Sequence, residues 1–135
     1  KEYPMTVTTG SMTIAYWCVF IAILLPLAFT GLAKFTSNFK PKHNHAPRKF
    51  LEGLTGWQQR SNWAQQNTLE SIPAFMAAVI IAHQMGGNQD NIDMLAVSYI
   101  IIRLVYGALY IADIALMRTL AWSLGVACIL GLFFT

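Results

Sequence analysis

The chain has 135 residues, of which 56% are apolar and only 11% are charged. Soluble domains usually contain about 25% charged residues, so much of this chain's surface is expected to contact lipid rather than water. Because a helical crossing takes roughly 20 apolar residues, residues 1–135 can hold at most four crossings in a single domain. Cys18 and Cys128 fall in apolar segments, which argues against a disulfide framework and a structural zinc site.

The net charge of +3 is distributed unevenly. Most of the basic residues lie in one stretch whose only acid is Glu52, and they are Lys34, Lys40, Lys42, Arg48, Lys49 and Arg60. By the positive-inside rule, this stretch faces the cytoplasm. It has neither interleaved aromatic residues nor a nucleic-acid-binding motif, so no nucleic-acid partner is predicted. His43 and His45 lack a third ligand nearby, so no metal site is predicted.

The first predicted helix covers residues 13–35, which are apolar except for Thr13, Thr30 and Lys34. This apolar run is longer than the core of a signal peptide, and no small-residue cleavage site follows it, so it is predicted to span the membrane. Pro26 is expected to kink it. The following segment, 34–52, contains several prolines and is predicted to be an irregular cytoplasmic loop.

The second predicted helix, 58–85, is unusual because its purely apolar part is too short to cross a membrane alone. It takes its first half from a polar stretch that begins at Trp57. The polar side chains there must face other helices, a neighbouring subunit or a water-filled cavity, since lipid does not tolerate them. The next turn contains Asp90 and Asp93 and no basic residue, as expected for a short acidic loop on the outer side.

The third and fourth predicted helices cover residues 94–114 and 116–134. Arg103 interrupts the third near its centre, and Arg118 lies near the cytoplasmic end of the fourth, where its side chain can reach the interface. Four crossings place both termini on the non-cytoplasmic side. The predicted fold is therefore an all-α, integral membrane four-helix bundle.

Polar residues recur at matching intervals on the second and third helices. Residues spaced i, i+3, i+7, i+10 lie on one face of a helix and form a stripe along it. On the second helix the stripe consists of Arg60, Trp63, Asn67 and Glu70. On the third helix it consists of Arg103, Tyr106, Tyr110 and Asp113. The two helices run in opposite directions, so an acid on one helix and an arginine on the other lie at similar depths in the membrane. The spacing predicts that Glu70 approaches Arg103 and that Arg60 approaches Asp113, because buried ionisable groups are costly without partners.

Two explanations of these stripes remain open. The residues can act only as polar contacts between helices, as in many membrane bundles. Alternatively, they form a ligand site, because Gln65, Asn67, Tyr106, Tyr110 and Arg118 remain after the charges are paired. Such a surplus of hydrogen-bond donors opening toward the cytoplasm suits an anionic ligand.

The segment from Arg60 to Phe75, together with the segment from Arg103 to Tyr110, resembles the MAPEG family of membrane-associated proteins in eicosanoid and glutathione metabolism. The resemblance covers nearly the whole chain, and its most specific part is the pattern Asn-x-x-Glu-x-x-x-x-Phe, which begins at Asn67. It implies a left-handed four-helix bundle that assembles as a homotrimer, with glutathione held between adjacent subunits near the cytoplasmic side.

The resemblance also implies the site residues. Asn67 and Glu70 match the family's glutathione-binding pair, and Gln65 matches a polar contact two residues earlier. The remaining matches are Arg60 for a glutathione carboxylate and Arg103, Tyr106 and Tyr110 for positions that face the tripeptide. Arg118 is the candidate for the catalytic arginine that activates the thiol. Trp63 departs from the family, because many of its enzymes have arginine at this position.

The function predicted from the resemblance is that of a glutathione transferase or peroxidase, acting on lipophilic electrophiles or lipid hydroperoxides. Glutathione would be the co-substrate, and an arginine beside its sulfur would raise the thiolate fraction. The alternative is a non-catalytic membrane protein that binds a ligand or lipid, or a subunit of a larger complex. A bacterial inner membrane is expected from the resemblance and from the absence of organelle signals.

Overall fold

A computed structural model describes residues 10–135, and helices dominate this part of the chain. In chain order the helices are α1 (Ile14–Phe35), α2 (Pro47–Glu52), α3 (Gly56–Gln84), α4 (Gln89–Ile111) and α5 (Ala115–Leu132). Residues 10–135 contain no strand. The four long helices correspond to the four predicted from the sequence, with ends that differ by up to five residues.

Three of the helices within residues 10–135 are long and apolar enough to cross a membrane, namely α1, α4 and α5. With 29 residues, α3 is the longest helix, but its N-terminal half is polar and it does not meet the same criterion. The sequence anticipated this difference from the short apolar part of the second predicted helix. The polar half of α3 is therefore the segment of the chain where we expect a functional site.

The start of α4 differs from the prediction. Asp90 and Asp93 were expected in a loop, but α4 begins at Gln89 and includes both of them. The side chain of Asn88 accepts a hydrogen bond from the backbone N–H of Asn91 at 3.1 Å and so caps the helix. Acidic residues in the first turns also interact favourably with the helix dipole, so the predicted acidic loop is the beginning of a helix.

The basic segment between α1 and α3 is also more regular than predicted. A 3-10 turn at Pro41–His45 precedes α2, and each begins with a proline, whose fixed φ suits the first position of a helix. The ring of His43 lies against Phe50, with centroids 4.5 Å apart, and its Nδ1 accepts a hydrogen bond from the Lys40 N–H. This histidine therefore helps to order the segment.

The core is built from α1, α3 and α4, with a contribution from the C-terminal half of α5. Phe75 and Tyr99 are fully buried and stacked, with ring centroids 3.9 Å apart, and the Tyr99 hydroxyl lies 2.6 Å from the hydroxyl of Ser71. At Gly107 a Cβ atom would collide with the ring of Phe29, so glycine allows α4 to approach α1 closely.

A second group of polar side chains, which we call the clasp, joins α1, α3 and α4 at the end of α3. It consists of Thr13, His83, Gln89 and Asp93. His83 Nε2 lies 2.9 Å from the Thr13 hydroxyl, and the Asp93 carboxylate accepts from the Ala15 N–H at 2.9 Å and from Gln89 at 2.8 Å. Thr13 also accepts from the backbone of α1. The clasp thus satisfies N–H groups that the start of α1 would otherwise leave unpaired.

Candidate functional site

A groove of about 400 Å³ opens between α3 and α4, far from the clasp. Its lining residues are Trp63, Gln66, Asn67, Glu70, Tyr106 and Tyr110. Four of these six are site residues predicted from the sequence: Asn67, Glu70, Tyr106 and Tyr110. Helical spacing brings them together, because residues three, four and seven apart share one face of a helix. The groove is therefore the candidate functional site.

Arg103 lies beneath the groove and does not line it. Its side chain is only 2% exposed, and its Nη2 donates to the Asn67 side-chain oxygen at 3.0 Å and to the Thr68 hydroxyl at 2.7 Å. Within residues 10–135, the Nε of Arg103 has no hydrogen-bond partner. Arg103 therefore fixes the orientation of Asn67 from below.

The predicted approach of Glu70 to Arg103 is not what holds Arg103 in place, because its hydrogen bonds go to Asn67 and Thr68. Glu70 is instead exposed on the wall of the groove. An exposed carboxylate keeps its contact with water and does not require a buried partner. The groove thus keeps an acidic group facing the space that a ligand would occupy.

Two arginine–tyrosine contacts line up along α4 and the start of α5. The guanidinium carbon of Arg103 lies 4.1 Å from the ring centroid of Tyr106, and that of Arg118 lies 4.4 Å from the ring centroid of Tyr110. The two tyrosine rings are in edge contact, with centroids 5.7 Å apart. These cation–π contacts hold Arg118 against one wall residue of the groove.

Arg60 lies outside the groove, near the end of α4. Its Nε donates to the carbonyl of Ile111 at 2.9 Å. This bond satisfies one of the carbonyls that a helix end leaves unpaired, and the positive charge suits the negative end of the helix dipole. The predicted approach of Arg60 to Asp113 is replaced by this contact with the backbone. Asp113 itself is exposed, in the tight connection between α4 and α5.

Gln65 lines a different and larger cavity of about 760 Å³, between α1, α2 and α3. Lys34, Arg48 and the buried Asn62 also contribute to this cavity. Gln66 lines both cavities, so they lie on adjoining faces of α3. Gln65 is therefore on a different face of α3 from Asn67 and Glu70.

A model of the MAPEG family matches residues 14–135, which is nearly the whole chain. The chain belongs to the MAPEG family. MAPEG members include glutathione transferases and peroxidases as well as non-catalytic proteins, and they generally use glutathione. Membership and the three candidate membrane spans identify a membrane protein. Comparisons with curated proteins and with solved structures find no match.

Three residues of this MAPEG site were not among the predicted site residues. Trp63 and Gln66 line the groove, and Thr68 holds Arg103. The position of Trp63 on the stripe of Asn67 and Glu70 was a usable signal. Thr68 gave no such signal, because a threonine in a helix of mixed polarity has many possible hydrogen-bond partners.

Proposed function

We propose that this MAPEG protein binds glutathione in the groove and uses it as a co-substrate, as a transferase or peroxidase. The observation that carries the proposal is the convergence of Asn67, Glu70 and the Arg118–Tyr110 contact around one cavity. A volume of about 400 Å³ is in the range of small-molecule sites. The groove thus combines an acid and an amide with aromatic walls, and the cation of Arg118 lies against one of those walls.

The charges of glutathione complement this arrangement. Its ammonium group suits the carboxylate of Glu70, and its backbone amides suit Asn67, which Arg103 holds in one orientation. Its two carboxylates require cations, for which Arg60, near the end of α4, is the candidate, whereas the buried Arg103 acts by holding Asn67. Glutathione therefore offers an opposite charge or a hydrogen-bonding group for each polar residue predicted to face it.

Arg118 is the proposed catalytic residue. A guanidinium beside the sulfur stabilises the thiolate, which is the reactive form of glutathione. In the transferase reaction the thiolate forms a carbon–sulfur bond with a lipophilic electrophile, whose leaving group departs with the bonding electrons. In the peroxidase reaction two glutathione molecules reduce a lipid hydroperoxide to an alcohol and water and become the disulfide. The protein contributes position and charge in both reactions.

The proposed assembly is a homotrimer of four-helix bundles in a bacterial inner membrane, with both termini on the non-cytoplasmic side. In such a trimer, glutathione would lie between adjacent subunits. Gln65 would then contact glutathione bound in the groove of a neighbour, since it lines the opposite cavity of its own subunit. Membrane lipids and a lipophilic small molecule are the other proposed partners.

One observation favours a second candidate, a non-catalytic protein that binds a ligand or lipid, alone or within a larger membrane complex. None of the groove's six lining residues is an arginine, and Trp63 occupies the wall where many family enzymes have one. A groove of this kind holds anions less strongly. The two candidates differ in what they predict for glutathione.

Titration of the detergent-purified protein with glutathione separates these candidates. We expect saturable binding with a Kd in the millimolar range or below. Isothermal titration calorimetry at constant pH measures this Kd. Absence of saturable binding at millimolar glutathione would rule out the proposed function as a glutathione-dependent enzyme. A non-catalytic ligand-binding protein would remain.

The role of Arg118 is tested with Arg118→Ala. We expect thiolate formation and turnover to fall on the order of 100-fold, because one preorganised charge is lost beside the sulfur. Glutathione affinity should change less than about threefold, since other residues bind the peptide. Lys49→Ala, which removes an exposed cation on α2 that lines neither cavity, is the control. Equal losses of binding and thiolate formation would show that Arg118 binds glutathione rather than activating it.

A further inference from the structure

The cavity between α1, α2 and α3 has almost twice the volume of the groove, about 760 Å³ against about 400 Å³. Its lining includes two cations, Lys34 on α1 and Arg48 on α2, and one acid, Glu52 on α2. The proposed glutathione chemistry uses none of these three residues. The excess of positive charge favours an anionic occupant.

The α1 wall of this cavity changes from apolar to charged along the helix. It consists of Leu27, Thr30 and Lys34, which share one face because they are spaced i, i+3, i+7. At 1.5 Å per residue, Leu27 and Lys34 lie roughly 10 Å apart along α1. Leu27 is 65% exposed and belongs to a helix that is apolar and long enough to cross a membrane. This wall therefore extends from the depth of lipid chains to the level of lipid head groups.

The α3 wall changes in the same direction. The clasp joins the start of α1 to the end of α3, so the two helices run antiparallel. Asn62 lies at the polar end of the α3 wall, and Leu69 lies seven residues later at its apolar end, where it is half-exposed. The polar ends of both walls therefore meet near the basic segment, and the apolar ends meet deeper in the bundle.

The amide of Asn62 is a polar group that the protein itself does not pair. Asn62 lines the cavity, is only 3% exposed, and its side chain makes no hydrogen bond within residues 10–135. The adjacent Ser61, in contrast, donates to the Phe29 carbonyl at 2.9 Å. A buried amide without a partner is costly, so its position indicates that a group filling the cavity pairs with it.

We propose that this cavity binds one anionic phospholipid, whose phosphate lies between Lys34 and Arg48. The Asn62 amide donates to an ester carbonyl of the lipid, and the acyl chains extend along Leu27 and Leu69. Basic pockets between membrane helices bind such head groups on the side of the membrane where lysine and arginine cluster. The apolar end of the cavity favours a lipid over a soluble phosphate. The proposal does not depend on glutathione binding in the groove.

Two neighbouring residues of α2 provide a matched pair of variants. Arg48 and Lys49 are both exposed and each carries one positive charge, but only Arg48 lines the cavity. Arg48→Gln and Lys49→Gln therefore remove the same charge from the same helix. A general attraction of anionic lipid to the basic segment would respond equally to both, whereas a defined site responds to Arg48→Gln alone.

Native mass spectrometry of the detergent-purified protein measures lipid retention. The protein is incubated with equimolar phosphatidylglycerol and phosphatidylcholine that have identical acyl chains. We expect it to retain phosphatidylglycerol with a preference of about fivefold, the effect of one net positive charge near a lipid head group. Arg48→Gln or Lys34→Gln should abolish this preference, and Lys49→Gln should change it less than about twofold. Equal effects of Arg48→Gln and Lys49→Gln would overturn the proposal.

Two further variants give effects that a purely structural role would not produce. Glu52→Gln removes the acid of the cavity lining and should raise the preference about threefold, because a like charge no longer opposes the phosphate. Asn62→Leu should lower the retention of both lipids about fivefold without lowering the temperature of unfolding, because leucine removes an unpaired buried amide. A lower preference in Glu52→Gln, or reduced stability with intact retention in Asn62→Leu, would overturn the proposal.

Soluble anions test whether the occupant is a lipid. Glycerol 3-phosphate carries the same phosphate without acyl chains, and at millimolar concentration it should leave bound phosphatidylglycerol in place. Displacement by glycerol 3-phosphate would show a soluble phosphate site, and displacement by glutathione would assign the cavity to glutathione; either result would overturn the proposal. Selective retention of phosphatidylglycerol by a protein that does not bind glutathione would support the lipid site while the proposed function fails.

Discussion

The clasp and the groove are two polar regions that both join α3 to α4, but they differ in how far their polar groups are paired. In the clasp, Asp93 accepts two hydrogen bonds, and both ring nitrogens of His83 have partners. The ring of His83 is also stacked on Tyr16, with centroids 3.9 Å apart. The clasp thus uses the His83 ring and one carboxylate oxygen of Asp93 for contacts within the protein.

The groove has the opposite character. Of its lining residues, only Asn67 is held by a side-chain hydrogen bond within the described part of the chain. Glu70 and Gln66 are exposed to the cavity, and the indole of Trp63 is half-exposed. A polar group that the protein leaves unpaired adds little to folding but can bind a ligand. The difference indicates that polarity alone does not identify a ligand site in this chain. Polar side chains that lack hydrogen-bond partners within the protein do.

The largest expected effect is on the clasp. Asp93→Ala removes the acceptor for the Ala15 N–H and for Gln89, so the free energy of unfolding should fall by about 2 kcal/mol. Thermal unfolding in detergent measures it. Asp90→Ala, which changes an exposed acid on the same helix, is the control and should have little effect. A loss of glutathione affinity in Asp93→Ala, with stability unchanged, would break the comparison.

Arg103→Met tests the boundary between the two kinds of region. Methionine fills the buried space, so the free energy of unfolding should change by less than about 1 kcal/mol, because a buried cation without a carboxylate partner adds little stability. Asn67 loses its donor and its fixed orientation, so the Kd for glutathione should rise about tenfold. Calorimetry measures the Kd and thermal unfolding measures the stability, and Lys49→Met, at an exposed position that lines neither cavity, is the control. A large loss of stability with unchanged Kd would make Arg103 a structural residue.

Glu70→Gln has the smallest expected effect. The free energy of unfolding should change by less than about 0.5 kcal/mol, because Glu70 is exposed. The Kd for glutathione should rise about fivefold, through loss of the charge facing its ammonium group. N-acetylglutathione, which lacks that charge, should bind the two proteins almost equally. An equal loss for both ligands would show that Glu70 does not contact the ammonium. Asp90→Asn, at an exposed position on α4 that lines neither cavity, serves as the control.

The order and number of the long helices followed from the apolar segments, because membrane helices are long and carry few charges. The start of α4 was misplaced because Asp90 and Asp93 look like loop residues, although Asn88 and the acids after it are a local signal for a helix start. The contact of Asp93 with α1 adds a second reason, which lies outside the segment. Distant backbone contacts of this kind leave no local pattern in the sequence.

The shared face of Asn67, Glu70, Tyr106 and Tyr110 was predictable, since helical periodicity fixes it. The partners of the charged groups were not, because opposite charges at similar depth are only one way to satisfy an arginine. Arg103 uses an amide and a hydroxyl, and Arg60 uses the Ile111 carbonyl. Choosing among these partners needs the rotation of each helix, which spacing alone leaves open.

Helices α3 and α5 differ in length beside the groove. At 1.5 Å per residue, α3 is roughly 44 Å long and α5 roughly 27 Å. The Asn88 N–H donates to the Thr135 carbonyl, so the two helices end at similar levels. At the other end α3 extends past the start of α5, while Trp63 stays beside Tyr110, whose ring contacts Arg118 in the first turn of α5. The extension is therefore the beginning of α3, where Trp57 and Gln58 have the aromatic and polar character that suits a membrane interface.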